Sequence, residues 1–417
     1  MELEVYIRRG SDDTLVATTR IPDWFGYPPS DPVPIVFLES GKLRIEDLQY
    51  GPAILEFDPN YRQLVGEIDH TRREGRVHLK RALPPPASGI RVEPVSIPSG
   101  DVLLSGELHL PPATENPYPA IILVGGRGCS PRDRALAREL PAYGMAVLTY
   151  DKRGTGESEG DCNTFTLDDL VGDVLSALEF ARSDSRIAPQ RVGLWGGSAG
   201  AWTIQAATER ALSDPETRPP AFLVTWIGPA TSIAQQQADS GRAIGADLGL
   251  SETELASVQE ALALSLDNTL DPKRVHARLN AIADAADAAG WRSSMFDASD
   301  IPASPADVER LWVRRFRYDP TKLLQNLSDI PYLAVLGEDD PIVPFEINRD
   351  ALLSAASISG NPDMNVVGIP AMGHGFEHGD REAALPSGET YFKMDTVEPL
   401  YFTATIEFLR ETGYLPK

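Results

Sequence analysis

Three side chains in this 417-residue chain have the types and settings to activate a hydroxyl: Ser198, Asp340 and His374. Ser198 lies in Gly196-Gly197-Ser198-Ala199-Gly200, after the apolar run Val192-Gly193-Leu194-Trp195 and before a stretch that reads as helix. Such a strand-turn-helix junction lifts a serine hydroxyl into a cleft, and only small flanking residues fit between the strand and the helix. The helix start also leaves backbone N–H groups free to face developing negative charge. A serine is a weak nucleophile by itself and needs a base, which in turn needs an orienting group. The run Tyr332-Leu333-Ala334-Val335-Leu336 leads into Gly337-Glu338-Asp339-Asp340-Pro341, setting a carboxylate at the end of a strand. A later run from Asn365 to Ile369 leads into Ala371-Met372-Gly373-His374-Gly375-Phe376, an imidazole on a glycine-bracketed loop. Asp339 competes with Asp340 by register. His378 competes with His374, but the Gly-His-Gly-Phe context directly after a strand favours His374.

Nucleophile, acid and base in that chain order resemble the α/β-hydrolase serine hydrolases. The nearest branch is that of esterases and peptidase relatives, with dienelactone-hydrolase-like and acyl-thioesterase-like members. Three further stretches carry the resemblance, which covers Ile90 to Lys417. Ala120-Ile121-Ile122-Leu123-Val124 followed by Gly125-Gly126-Arg127-Gly128 is similar to the third strand and oxyanion loop, with Gly125 where relatives commonly carry histidine. Tyr150-Asp151-Lys152-Arg153-Gly154-Thr155-Gly156-Glu157-Ser158 is similar to the structural D-x-R-G-x-G-x-S turn after the fourth strand, and Tyr318-Asp319-Pro320 is another pattern of the branch. The family's G-x-x-D before proline places the acid at Asp340. The resemblance implies that His374 takes the Ser198 proton and that Asp340 orients His374. The N–H groups of Ala199 and Arg127 would form the oxyanion hole. The Arg127 side chain could meet a substrate carboxylate or pair with a nearby acidic residue such as Asp133.

The implied activity is cleavage of a carboxylic ester through an acyl-enzyme on Ser198. A peptidase or amidase, or an acyl-thioesterase, would use the same three residues. A non-catalytic binding protein on the same fold is the reading from another class. The leading segment of about 85 residues is too short for the multi-blade propeller of oligopeptidase relatives, whose blades take about 40–50 residues each. No phosphate-binding loop, dinucleotide fingerprint or metal motif occurs, so no cofactor and no metal are implied.

Composition sets the remaining bounds. With 38 basic and 61 acidic residues the formal charge is −23, which opposes binding to nucleic acid or to anionic membranes. The expected partner is a small-molecule acyl substrate, and homo-oligomerisation enters only as a base rate. The start Met1-Glu2-Leu3-Glu4-Val5 lacks the pattern of a signal peptide, and no apolar run approaches the roughly 20 residues of a membrane span, so the default location is cytoplasmic. The two cysteines, Cys129 and Cys162, have neither metal-ligand spacing nor a disulfide framework, and Cys129 reads as a free buried thiol. His70, His78, His109 and His276 read as surface or structural histidines.

These residues need a frame, and the chain shows three regimes. Residues 1–87 hold short β-rich runs (Leu3 to Arg8, Ile35 to Leu38, Ile54 to Phe57, Leu64 to Ile68, Val77 to Leu83) and read as a β-rich domain that ends at Pro84-Pro85-Pro86. Residues 88–230 and 328–417 alternate strand and helix, the signature of a mostly parallel sheet flanked by helices, opened by a hairpin at Pro98-Ser99-Gly100-Asp101. Thr166-Leu167-Asp168-Asp169 starts a helix to about Ser183, with Leu170, Val174, Leu178 and Ala181 on one face. Residues 231–327 are too long for a simple connection, and Ser251 to Leu266 and Pro272 to Ala288 have helical periods, predicting a mainly helical cap. Trp291, Met295, Phe296, Trp312 and Phe316 are its bulky residues, suited to cap core or to pocket lining, with Trp312 and Phe316 at i,i+4.

Overall fold

The computed structural model describes residues 4–9, 15–20, 33–38, 40, 42–45, 52–58, 63–70, 73–80, 89–113, 116–132, 137, 139–375, 382–384, 390–392 and 400–416. Pro84-Pro85-Pro86, Asp133, Phe376 and His378 lie outside the described residues.

Short β-rich runs separated by turn residues pair with their chain neighbours, because hairpins are the cheapest connection for antiparallel strands. Strands β1 (Glu4–Arg9), β2 (Leu15–Arg20), β3 (Val33–Phe37), β4 (Leu43–Ile45), β5 (Ala53–Asp58), β6 (Gln63–His70) and β7 (Arg73–Lys80) form one antiparallel sheet in that order.

The second sheet contains β8 (Arg91–Ser99), β9 (Val102–Leu110), β10 (Tyr118–Val124), β11 (Ala146–Tyr150), β12 (Ile187–Gly197), β13 (Leu223–Trp226), β14 (Tyr332–Gly337) and β15 (Met364–Ile369). Their order is β15-β14-β13-β12-β10-β11-β9-β8, antiparallel through β8, β9 and β11 and parallel from β11 to β15. Gly100, at φ 58°, closes the β8–β9 hairpin in the left-handed region that glycine enters without strain. Strands β10, β11, β13 and β14 are buried along their whole length, which is why they read as continuous apolar runs without alternation.

Alternate residues of those strands serve two cores. Ile122, Val124, Leu148 and Leu194 pack under α1 (Leu167–Ser183), α2 (Gly200–Ser213) and a later helix, Phe345–Ser359. Ile121, Leu123, Val147 and Trp195 face the other way, towards the helix Leu400–Glu411. The first turn of α1 is closed by a capping box, in which the Thr166 hydroxyl accepts from the Asp169 N–H and the Asp169 carboxylate accepts from the Thr166 N–H. Leu170, Val174, Leu178 and Ala181 are its buried face, as their spacing predicts.

Between β13 and β14 the chain forms the expected helical insertion. It comprises α3 (Ile233–Asp247), α4 (Glu252–Leu266) and α5 (Pro272–Ala289), followed by short turns through Arg315. Ser251 and Glu254 box the start of α4, while Asp271 caps α5, which carries proline in its first turn and ends at left-handed Gly290. Trp291 and Phe316 are buried in packing, whereas Met295, Phe296 and Trp312 border the cavity described below.

The expectation of a free thiol at Cys129 is overturned: Cys129 and Cys162 form a disulfide, with their Cα atoms 5.7 Å apart. A sequence separation of 33 hides the pairing. The parallel pairing of β10 with β11 sets the loops that follow these strands side by side, and each loop supplies one cysteine.

Candidate active site

In an open parallel sheet, ligands bind beyond the carboxyl ends of the strands, where successive connections leave in opposite directions. Here that crevice lies between β10 and β12: the chain passes from β10 to β11 on one side and from β12 to β13 on the other. The loop Gly125–Gly128 rises from β10 and the Ser198 turn from β12. Gly126 is so close to the turn that a Cβ on it would lie 3.2 Å from both the Gly197 carbonyl oxygen and the Ser198 Cβ.

Ser198 has φ 50°, a left-handed conformation that a non-glycine residue adopts only when its surroundings hold it there. Its N–H donates to the Trp226 carbonyl at 3.0 Å and its carbonyl accepts from the Ala201 N–H at 2.9 Å, so the turn is clamped on both sides. A Cβ on Gly200 would come within 2.3 Å of the Val124 carbonyl oxygen, and one on Gly196 within 2.6 Å of the Gly200 carbonyl oxygen. The glycine pattern is therefore a packing requirement of strand, turn and helix.

Asp340 follows β14 and is 3% exposed, whereas Asp339 beside it is exposed. One Asp340 oxygen, Oδ1, accepts from the N–H groups of Ile342 at 2.8 Å and Val343 at 2.9 Å. The other, Oδ2, lies 2.7 Å from His374 Nδ1. On the far side of the ring, His374 Nε2 lies 3.0 Å from Ser198 Oγ. Backbone bonds from Glu338 N–H to Ile369 and from Asp339 N–H to Met372 tie the acid loop to the histidine loop. Gly337 permits this contact, since a Cβ there would sit 2.2 Å from the Met372 carbonyl oxygen. The structure thus joins Ser198, His374 and Asp340 in one hydrogen-bonded line, although 142 and 34 residues separate consecutive members along the chain.

The N–H groups of Ala199 and Arg127 have no hydrogen-bond partner among the described residues. The first begins α2, where orphan donors are expected, and the second lies on the β10 loop beside Ser198. The Arg127 side chain turns to the insertion: it donates to Asp300 at 2.5 Å and to the Ser299 hydroxyl at 3.1 Å, and lies 3.8 Å from Asp297. Its guanidinium also stacks over Trp312, 4.9 Å from the ring centroid. Of the two uses considered for this side chain, pairing with an acidic residue is the one seen, with insertion carboxylates as partners.

Under the insertion lies a cavity of about 470 Å³ with Ser198 and His374 in its wall. Trp202, Ile244, Leu262 and Trp312 make much of it apolar, and Gln236, Ser240, Asp297 and Asp300 add polar edges.

The D-x-R-G turn after β11 proves to be structural at two of its positions. Asp151 clasps Arg132 through Arg132 N–H, Nε and a terminal guanidinium nitrogen, and Arg153 binds Asp173 and Asp169. Lys152 between them behaves differently, sending its ammonium into the Gly126–Gly128 loop. Nothing in the sequence marks that contact, because it depends on which strand neighbours β11.

Among the described residues, no helix is long and apolar enough to cross a membrane. A family model described as serine aminopeptidase S33 matches residues 116–263, from β10 through most of α4. The quorum-quenching protein AidA of Acinetobacter baumannii is 36% identical over 115 residues, covering 27% of this chain and 38% of that protein. An uncharacterized 31.7 kDa protein of Escherichia coli, encoded in the traX-finO intergenic region, is 34% identical over 93 residues, 22% of this chain and 32% of its own length. Among solved structures, Est1E of Butyrivibrio proteoclasticus with bound ferulic acid aligns at 18% identity and a TM-score of 0.43, covering 67% of this chain and 90% of that one. Esterase 2 of Thermogutta terrifontis, phosphonylated by sarin, aligns at 17% identity and a TM-score of 0.46, over 78% and 96%. By its own strand order and its serine turn between β12 and α2, the chain has the α/β-hydrolase fold, and the serine aminopeptidase S33 model spans β10 to β13 with that turn between them.

Proposed function

We propose that the protein hydrolyses carboxylic esters through an acyl-enzyme on Ser198. The observation that carries this reading is the line Ser198 Oγ, His374 Nε2, His374 Nδ1, Asp340 Oδ2, which opens onto the cavity beside two N–H groups that have no partner among the described residues. His374 Nε2 takes the hydroxyl proton as Ser198 Oγ attacks the ester carbonyl carbon. Asp340 holds the proton of Nδ1, which leaves Nε2 basic, and stabilises the imidazolium that forms. The N–H groups of Ala199 and Arg127 bind the oxyanion, each contributing about 3 kcal/mol in comparable sites. His374 returns the proton to the leaving alkoxide oxygen, and a water molecule, deprotonated by His374 in turn, releases the acid.

The cavity favours a small or medium, partly apolar acyl group. Asp297 and Asp300 at its edge, with a chain charge of −23, oppose a polyanionic carrier such as coenzyme A, which counts against the thioesterase reading. The disulfide favours an oxidising compartment over the cytoplasmic default. Residues 1–87, 88–230 with 328–417, and 231–327 are proposed as leading domain, catalytic domain and cap. The test is labelling with a fluorophosphonate probe, followed by rates on p-nitrophenyl esters, acyl-CoAs and aminoacyl anilides, each against Ser198→Ala. Folded protein that fails to label at Ser198 refutes every serine-hydrolase version, and the panel separates ester, thioester and amide cleavage.

A further inference from the structure

We propose that Lys152 is a positioning residue of the oxyanion hole, its ammonium fixing and polarising the peptide group that presents the Arg127 N–H. The inference rests on the reading of that N–H as an oxyanion donor. Lys152 follows β11 and is 5% exposed, and no carboxylate lies within ion-pairing distance of it among the described residues. Its Nζ donates instead to the carbonyl oxygens of Gly126, at 2.8 Å, and of Gly128.

The Gly126 carbonyl and the Arg127 N–H belong to one peptide group. No cis peptide occurs among the described residues, so in this planar trans unit the two dipole ends point in opposite directions. An ammonium bound to the oxygen therefore turns the N–H away from itself. It also draws electron density towards the oxygen, making the N–H a stronger donor, the cooperative effect of linked hydrogen bonds in a low-dielectric interior. The second contact lies two residues on, past Gly128 at φ 93°, so one cation spans the turn. At Cys129 the disulfide to Cys162 takes over, and both tethers come from the segment after β11.

A cation without a counter-ion is a costly way to fill a buried position, and apolar side chains of similar length would fill it without that cost. The charged groups around Lys152 are engaged elsewhere: Asp151 with Arg132, Arg153 with Asp169 and Asp173, and Arg127 with Asp297 and Asp300. Burial pulls the ammonium down to a pKa of about 8, so it stays charged at neutral pH against its surroundings. Local rules are commonly broken in this manner at sites that serve function.

Lys152→Met and Lys152→Arg test the inference, with kcat, KM, thermal midpoint, inhibition by a trifluoromethyl ketone that forms an oxyanion on Ser198, and inhibition by the carboxylic acid product. Lys152→Met is expected to lower kcat about 100-fold and to weaken the ketone by a similar factor, the lower range for losing one oxyanion donor. KM and product inhibition should stay within threefold, the thermal midpoint should not fall, and Lys152→Arg should recover part of kcat. A merely structural lysine would instead lower the midpoint and shift KM, kcat and both inhibitors together, and that pattern overturns the inference, as does a kcat within threefold of wild type. If Lys152→Met fails to fold, the wild-type pH profile decides: kcat should fall through an apparent pKa near 8, and a flat kcat from pH 7 to 9.5 overturns the inference. Wild-type protein that neither labels at Ser198 nor cleaves esters overturns the serine-hydrolase reading itself, and this inference with it.

Discussion

Replacing Asp340 by Asn changes one heavy atom, and the structure dictates where the new amide NH2 must go. The Oδ1 position accepts two backbone N–H groups, from Ile342 and Val343, inside a buried pocket. Placing NH2 there would set donors against donors and strand the buried Val343 N–H, at about 1–3 kcal/mol, along with the half-buried bond from Ile342. The amide oxygen therefore keeps the Oδ1 position and NH2 faces His374 Nδ1. That nitrogen must then accept, so the ring proton moves to Nε2, which donates to Ser198 Oγ and can no longer take its proton. A wrong tautomer of this kind costs about 10⁴ in kcat, or roughly 5.5 kcal/mol of barrier. Steady-state hydrolysis of p-nitrophenyl butyrate should show that loss with KM changed less than threefold, and fluorophosphonate labelling should slow in step. Asp339→Asn, at the exposed neighbour, should behave as wild type. A kcat for Asp340→Asn within tenfold of wild type would refute both the tautomer argument and the role given to Asp340.

The depressed pKa of Lys152 has a stability consequence whose sign runs opposite to that of an ordinary ion-paired lysine. Between a folded pKa of about 8 and an unfolded value near 10.4 the unfolded chain binds more protons, so stability rises with pH, by up to about 3 kcal/mol over the whole window. Urea unfolding of wild type and Lys152→Met from about pH 7.5 to about pH 9, below the ionisation of unfolded tyrosines, should show the wild type gaining on the variant, and a constant difference would count against the burial argument. Thiol titration of the unfolded chain should find no free thiol before reduction and two after it. Reduction should cost about 3–4 kcal/mol of stability by loop-closure entropy, and a thiol titrating without reductant would disprove the bridge. Gly200→Ala meets backbone oxygens that cannot yield and should abolish Ser198 labelling or folding, whereas Gly172→Ala, in open space on α1, should stabilise by about 1 kcal/mol, as comparative denaturation will show.

What could be read from the sequence was whatever a short stretch decides alone. Thr166 and Asp169 sit three residues apart and close their own capping box, so the start of α1 is visible in four letters. The glycines around Ser198 are visible for a related reason: strand, turn and helix are consecutive, and the collisions that exclude side chains arise there and against the neighbouring β10 loop. Asp340 needed one further fact, that of the two aspartates it is the buried one. The features that stayed hidden depend on which strands are neighbours. Helix α3 contains Gly241 and Gly245, which weaken a helical pattern read locally, yet a Cβ on Gly245 would lie 2.3 Å from a Leu255 methyl, so close packing on α4 outweighs propensity there. The Cys129–Cys162 bond and the Lys152 contact share a single cause. Both link the loop after β10 to the loop after β11, and both follow from the parallel pairing of those strands. In the sequence, a cysteine 33 residues from its partner reads as a free thiol, and a lysine 26 residues from the carbonyl it holds is one more letter of a structural turn. Once the strands pair, the same residues brace the loop whose N–H the proposed reaction needs, so the part of the site that local patterns leave unread is the part built by tertiary contact.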